Sequence, residues 1–338
     1  MESTTEPSHD VTGEYNCLLF DMLTHGVTLL SISLLGTIGN SLSMLTFWST
    51  RNEIPTSLLL LSLAVADTTV LITHALMICP RAFCEFSGGC QTYMAYVFPW
   101  MTAHFWPVAS TCHLASTWLV LLVTFNRFIG VCHPHKFKTW MSIRRMKIQI
   151  AAIGVTSLVY NIPRFCDDDV RLSKDGDRFD MYRTALGSSE LYKYVYNIGL
   201  YYIVIYVIPF ASLIFMSVCL CQTIRLTKAK RAQMSKTNRE ENDLTLSLVI
   251  VVIVYMTCQL LNPIRRVLFV VIPSTNKPCG NLIIFATTLG IVFNSAVNFV
   301  IYCIFSPRFR RQLLKKLHSF NRVDAATDMS AITNSTST

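Results

Sequence analysis

A chain of 338 residues in which 52% are hydrophobic and only 14% charged is too apolar for a soluble globular domain, where charged side chains alone make up about a quarter of the sequence. The formal charge of +9 sits in a few short segments between apolar runs, so it reports membrane topology. No finger, aromatic-basic sheet motif or base-reading helix accompanies it, which excludes nucleic acid as a partner. The 12 cysteines lack paired zinc spacings and read mostly as small apolar residues inside helices.

Apolar stretches long enough to span a bilayer recur at 26–48, 57–79, 97–130, 146–163, 195–221, 244–271 and 282–305, each reaching or exceeding the length that a spanning helix of about 20 residues needs, the third being unusually long. Thr156, Ser157 and Asn161 make the fourth the weakest. The expected fold is an all-α membrane protein: a seven-transmembrane helix bundle at 26–305, a tail at 1–25, an amphipathic surface helix at 306–317 and a disordered tail at 318–338. Residues 1–25 carry five acids and no Lys or Arg, whereas 136–147, 225–239 and 308–316 are basic. By the basic-inside bias the N-terminus is extracellular and the C-terminus cytoplasmic. The acidic start is no signal peptide, and the tail reads as a flexible lead-in.

In chain order, Gly36, Gly39 and Asn40 mark the first span as a close-packing surface with a buried amide that needs a partner. In the second, Asp67 is the only acid deep in any span. It must be protonated, hydrogen-bonded or holding a small cation, because an unpaired carboxylate in hydrocarbon is expensive. Cys84, Cys90 and the pair Gly88-Gly89 follow in an outer loop; in oxidising surroundings one of its cysteines is a credible disulfide partner for Cys166. The third span carries His113, which either lines a cavity from above or is a satisfied packing histidine, then Ser116 near mid-membrane, and ends in Asn126-Arg127-Phe128. An arginine at a span's end either reaches water or turns back between helices.

Pro163 and Arg164 announce the exit of the fourth span. The loop at 166–193 concentrates Asp167, Asp168 and Asp169, which either draw a cationic ligand to a pocket mouth or are balanced by the loop's own cations. Tyr201, Tyr202 and Tyr206 give the fifth span a polar-tipped aromatic surface above Pro209. In the sixth, Gln259 and Asn262-Pro263 precede Arg265-Arg266, a basic pair that snorkels, meets an acidic ligand group or pairs with the loop aspartates. In the seventh, Asn294, Ser295 and Asn298 form an inward polar stripe before Tyr302. Past Pro307 the basic-apolar alternation suits a helix on the membrane surface.

Gly39-Asn40, the Leu-Ser-Leu-Ala-Val-Ala-Asp67 run, Asn126-Arg127-Phe128 and Asn298 to Tyr302 together resemble the rhodopsin-like (class A) G-protein-coupled receptors. Tyr160 to Phe165, Cys258-Gln259 and Asn294 to Cys303 are similar, more narrowly, to the invertebrate FMRFamide-type neuropeptide receptors. The resemblance implies a receptor, not an enzyme, with no catalytic residues and no required cofactor. It implies that Arg127 is the G-protein switch together with Tyr302, that Asp67 is a sodium-site carboxylate, and that Ser116, Asn294, Ser295 and Asn298 are its polar neighbours, with Asn40 in the same core. Asn126 replaces the acid that usually clamps the arginine, and Glu241 is placed to substitute. The expected pocket is drawn from His113, Tyr202, Tyr206, Gln259, Asn262, Arg265 and Arg266. The usual bridge to the third helix would join Cys166 to Cys90, or to Cys84. The implied partners are an amidated Arg-Phe peptide, a heterotrimeric G protein, arrestin, a receptor kinase and membrane lipid, at the plasma membrane.

Overall fold

Seven long helices account for most of the computed structural model, which describes residues 11–228, 236–271 and 282–318. Helix α1 begins far earlier than its apolar run: Val11–Asp21 continues through a wide π-type turn, Met22–Thr28, into Leu29–Trp48. The expectation of a flexible lead-in is therefore corrected from Val11 onward. The acid counted in that tail explains why. Asp21 is buried, 2.8 Å from His25 Nδ1 one turn on and 3.3 Å from Arg81, so the polar start is compensated inside the bundle.

Helix α2 spans Pro55–Ser87. Proline at its first position has no amide to leave unpaired, and Gly88 ends it in the left-handed region at φ 63°, where a side chain would be strained. Helix α3 runs through Tyr93–Val97 and Phe98–Cys132. Helix α4, Ile143–Asn161, starts on Ser142, whose hydroxyl accepts from Arg145 N at 3.4 Å. Helix α5 joins two wide turns, Tyr192–Leu200 and Tyr202–Val207, to Ile208–Lys228. Helix α6 is broken, Lys236–Gln259 and then Asn262–Val271, because Pro263 has no amide hydrogen to return to residue 259. Helix α7 is Leu282–Phe305. Residues 307–318 form a further helix, α8.

Six of these helices are long and apolar enough to cross a membrane on length and composition alone. The seventh of the set, α4, carries Arg144, Arg145 and Lys147 in its first turns, which lowers its mean hydropathy. Its Val155, Leu158 and Val159 face outward, as do Leu34, Leu35 and Ile38 of α1 and Phe215 and Val218 of α5. Such an apolar girdle is what a bundle shows to lipid, where water supplies no driving force for hiding it.

Inside, the packing is set by small residues. A Cβ on Gly36 would lie 2.5 Å from the Ala296 Cβ, and one on Gly39 2.9 Å from the Phe299 Cβ, so α1 and α7 meet backbone to backbone. Asn40 fastens that contact by donating to the Ser295 carbonyl at 3.0 Å. A large core cluster fills the half of the bundle nearer Arg127, with Leu59, Leu63, Val123, Leu213, Val252 and Tyr255 all but sealed. Phe309 of α8 is buried against Phe47 and Tyr302, and Arg310 donates to the last carbonyls of α7, Cys303 and Ile304.

The loop after α4 is ordered: a hairpin, β1 (Asp168–Leu172) antiparallel to β2 (Phe179–Arg183), in register Asp168 to Arg183 and Leu172 to Phe179. Tyr96 of α3 holds it, stacking edge-on to Phe179 at 5.6 Å and donating to the Gly176 carbonyl. The tail beyond 318 lies outside the described residues.

Candidate functional site

Three polar sites lie along the axis of the bundle. At its centre the Asp67 carboxylate is completely buried. One oxygen accepts from Ser116 Oγ at 2.6 Å and Ser295 Oγ at 3.2 Å, and the other from Asn298 Nδ2 at 2.8 Å. The expected partners are thus brought together, except that Asn294, buried on the same helix, is not among the donors. Asn298 Oδ1 is buried without a hydrogen-bond partner. A carboxylate, two hydroxyls and an unsatisfied amide oxygen form an all-oxygen set suited to a hard cation. These residues fit a sodium ion.

Toward α8, Arg127 turns back into the bundle. Its Nη2 donates to Thr56 Oγ1 at 2.6 Å, and Thr56 in turn donates to Asn126 Oδ1 at 3.0 Å. Asn126 is fully buried and Thr56 nearly so. Thr56 was invisible as a functional residue in the sequence, being an ordinary threonine one place after Pro55; its neighbours give it two roles at once. Tyr302 is buried below, its hydroxyl without a partner, in edge contact with Phe47 at 5.9 Å. Glu241 belongs to α6, but its side chain lies outside the described residues.

At the hairpin end a cavity of about 700 Å³ opens between α2, α3, α5, α6 and α7 beneath β1 and β2. His113, Asn262, Arg265 and Arg266 line it as expected. Tyr202, Tyr206 and Gln259 do not, and the reason is phase. The wide turns of α5 rotate its outer half, so that Tyr201 faces the cavity while the Tyr202 hydroxyl bonds the Pro263 carbonyl and Tyr206 is buried against Leu114 and Ile205. Gln259 is sealed at the break of α6, accepting from Asn262 Nδ2 at 2.6 Å. Tyr202 and Gln259 therefore hold the kink.

The cavity also takes in residues that went unassigned: His74, Trp106, Asn197, Lys193 and, above all, Arg164. Read as marking an exit, Arg164 instead turns inward through the 3-10 turn Ile162–Phe165 and is 8% exposed. The acids at the mouth are met by the loop's own cations: Arg183 reaches Asp167 at 3.4 Å and Asp168 at 3.3 Å, Arg171 reaches Asp169 at 2.7 Å, and Lys193 reaches Glu190 at 3.7 Å. Burial holds the Asp168 carboxyl above the usual carboxylate range, against the opposing pull of Arg183. Of the alternatives for the loop, the structure shows compensation, incomplete by one charge because Asp167 and Asp168 share Arg183.

The anticipated bridge is also corrected. Cys84, Cys90 and Cys166 are all free, whereas Cys17 of α1 is disulfide-bonded. Position explains part of this: Cys84 is buried inside α2, and β1 begins two residues after Cys166, fixed by the Thr184 hydroxyl on its carbonyl.

Seven packed helices with a buried acid at the centre, an inward-turned arginine at one end and a capped cavity at the other define a polytopic membrane protein of the receptor type. Comparison with known families fits this: residues 39–302 match the model described as 7 transmembrane receptor (rhodopsin family). The chain belongs to that family, whose members are receptors and not enzymes. Among curated proteins it is 28% identical over 293 residues to the FMRFamide receptor of Drosophila melanogaster, covering 86% of this chain and 53% of that one. It is 23% identical over 329 residues to the Sex peptide receptor of the same species, with 87% and 72% covered. With the FMRFamide peptide receptor frpr-18 of Caenorhabditis elegans it shares 25% over 300 residues, with 85% and 67% covered. The chain spans about half the length of the first of these.

Proposed function

We propose that this chain is a plasma-membrane receptor for an extracellular neuropeptide, of the amidated Arg-Phe class, and that it activates a heterotrimeric G protein. The observation that carries the reading is the cavity of about 700 Å³ under an ordered hairpin, within the size range of ligand pockets. The names of two of the relatives, which are FMRFamide receptors, support the ligand class. Within the cavity α3 offers His113 and Ser110 and no carboxylate, which disfavours a small amine. In this reading the hairpin end and the N-terminus face outward, and the Arg127 end faces the cytoplasm.

Binding shifts a two-state equilibrium only by its differential affinity for the two arrangements. The resting arrangement is the one in which Thr56 holds Arg127 and Asn126. An outer ligand that favours a different setting of α5 and α6, which the Tyr202 to Pro263 bond couples, releases Arg127 to a G protein. Asp67, Ser116, Ser295 and Asn298 would hold a sodium ion in this arrangement, and its charge would offset the buried carboxylate and so favour the resting state. Arrestin and a receptor kinase complete the expected partners.

The test is a screen of amidated neuropeptides at controlled surface expression, read by G-protein activation and arrestin recruitment beside Arg127→Ala. A saturable response to Arg-Phe-amide peptides that loses its G-protein component in the variant is expected. Silence toward all peptides at confirmed surface expression overturns the ligand class.

A further inference from the structure

The charge balance of the cavity runs opposite to the impression left by its acidic loop. The four loop acids at the mouth meet three cations, Arg183 shared by Asp167 and Asp168, Arg171 on Asp169 and Lys193 on Glu190. Deeper in, Arg164, Arg265 and Arg266 line the same space, and among the described residues none of the three forms an ion pair. Arg164 is more than nine-tenths buried, and its Nε and Nη2 have no hydrogen-bond partner. Arg266 spends two of its donors on Asn197, at 3.3 Å to the carbonyl and 3.1 Å to the side-chain oxygen.

Both guanidinium groups flank one ring: Arg266 lies 4.4 Å and Arg164 5.6 Å from the Tyr201 centroid. The separation of their charges cannot exceed the sum of those distances. Cation-π contact eases such crowding only partly. Like charges held together in a half-enclosed space, with donors left unused, are destabilising until an anion enters. An arginine fork is moreover shaped for a planar carboxylate.

We infer that the inner part of the cavity is an anion subsite, built from Arg164, Arg265 and Arg266, which takes a carboxylate of the ligand: the peptide this receptor answers carries an acidic residue as well as its amidated end. The inference rests on the receptor reading above for the identity of the ligand, and its test does not use signalling. A cationic ligand side chain remains at the mouth, where Asp168 and Glu190 face it in exchange for their loop partners.

The purified full chain in detergent micelles is titrated with N-acetyl-Asp-Phe-amide and with N-acetyl-Asn-Phe-amide, which are nearly isosteric but differ in charge and in one acceptor oxygen exchanged for an amide donor, and the unfolding midpoint is followed. The Asp probe should bind about tenfold or more tightly than the Asn probe, the worth of one charge-assisted pair. That preference should vanish in Arg164→Gln and shrink in Arg265→Gln. Ligand-free Arg164→Gln should melt no lower than wild type, because an uncompensated buried charge has gone; a purely structural arginine would give a lower midpoint. Equal affinity for the two probes, binding of neither at millimolar concentration, or a preference surviving in both variants overturns the subsite. Reading two variants keeps the result decisive if one misfolds. A receptor that answers no neuropeptide but still prefers the Asp probe refutes the ligand class proposed above and leaves the subsite standing.

Discussion

Thr56→Val removes the hydroxyl that joins Arg127 to Asn126 while keeping a branched side chain of similar shape. Two bonds disappear: the charge-assisted one from Arg127 Nη2 at 2.6 Å and the neutral one to Asn126 Oδ1 at 3.0 Å. Their net worth is about 1.5–3 and about 0.5–1.5 kcal/mol respectively. Discounting for their shared atom and for Arg127's other contacts leaves about 2 kcal/mol, held in the resting arrangement and absent once Arg127 swings out. That is about a thirtyfold change in the equilibrium. A signalling state populated at about 1% would rise to about a quarter. Ligand-free G-protein activation, measured at matched surface level, should therefore climb many-fold in Thr56→Val and stay near wild type in Thr56→Ser. Asn126→Asp should act with the opposite sign, since an acid beside Arg127 adds attraction to the resting state. A Thr56→Val baseline within twofold of wild type would refute the reasoning, because it would mean that these bonds are replaced at no cost in the open arrangement.

Three further outcomes follow from the packing. Replacing choline chloride with sodium chloride should raise the unfolding midpoint of the purified receptor, by about 1.4 kcal/mol of stabilisation at ten times the dissociation constant; Asp67→Asn should abolish the difference, and an equal response in both proteins would remove Asp67 from any cation site. Gly36→Leu should lose most surface expression, because even its Cβ would stand 2.5 Å from Ala296 Cβ and 2.8 Å from Ala296 Cα, and α1 would have to leave α7; quantitative surface labelling decides it. Peptide mapping without reduction should find Cys17 in a bridge and Cys84, Cys90 and Cys166 alkylated as thiols, and a Cys166-containing crosslink would contradict the arrangement described.

What the sequence makes legible is whatever the bilayer enforces. Asp67 stood out because an acid within an apolar run must find donors, and it finds Ser116, Ser295 and Asn298. Asn40 and Gly36 were readable for the same reason: an amide in hydrocarbon needs a carbonyl, and small residues mark close helix contact. The aromatic face of α5 was not readable. Periodicity assumes about 100° of turn per residue, and each wide turn admits an extra residue that shifts the face below it. Tyr201 and Tyr202 exchange roles across one such shift, a difference that a list of tyrosines cannot hold. Thr56 was silent for another reason, since its importance lies wholly in which two residues, some seventy positions away, its hydroxyl meets.

The electrostatics of the mouth separate charge count from charge balance. Three consecutive aspartates after Cys166 suit either a cation-attracting funnel or a loop that balances its own charges, and counting along the chain, where the acidic excess is small, does not choose between them. In the folded hairpin, register decides instead: Asp168 faces Arg183 across the ladder, Asp169 is met by Arg171 two residues on, and because Asp167 and Asp168 share Arg183 the acids arrive at the mouth largely paired, with one carboxylate in excess. Arg164, counted as the end of a helix, and Arg265 and Arg266, which had several possible partners, are brought to the inner wall with none of those carboxylates. A field at the entrance governs how fast a ligand arrives, and the groups it finally touches govern how long it stays. The two can therefore have opposite signs, with a rim that welcomes the cationic end of a peptide and an interior that retains its acid.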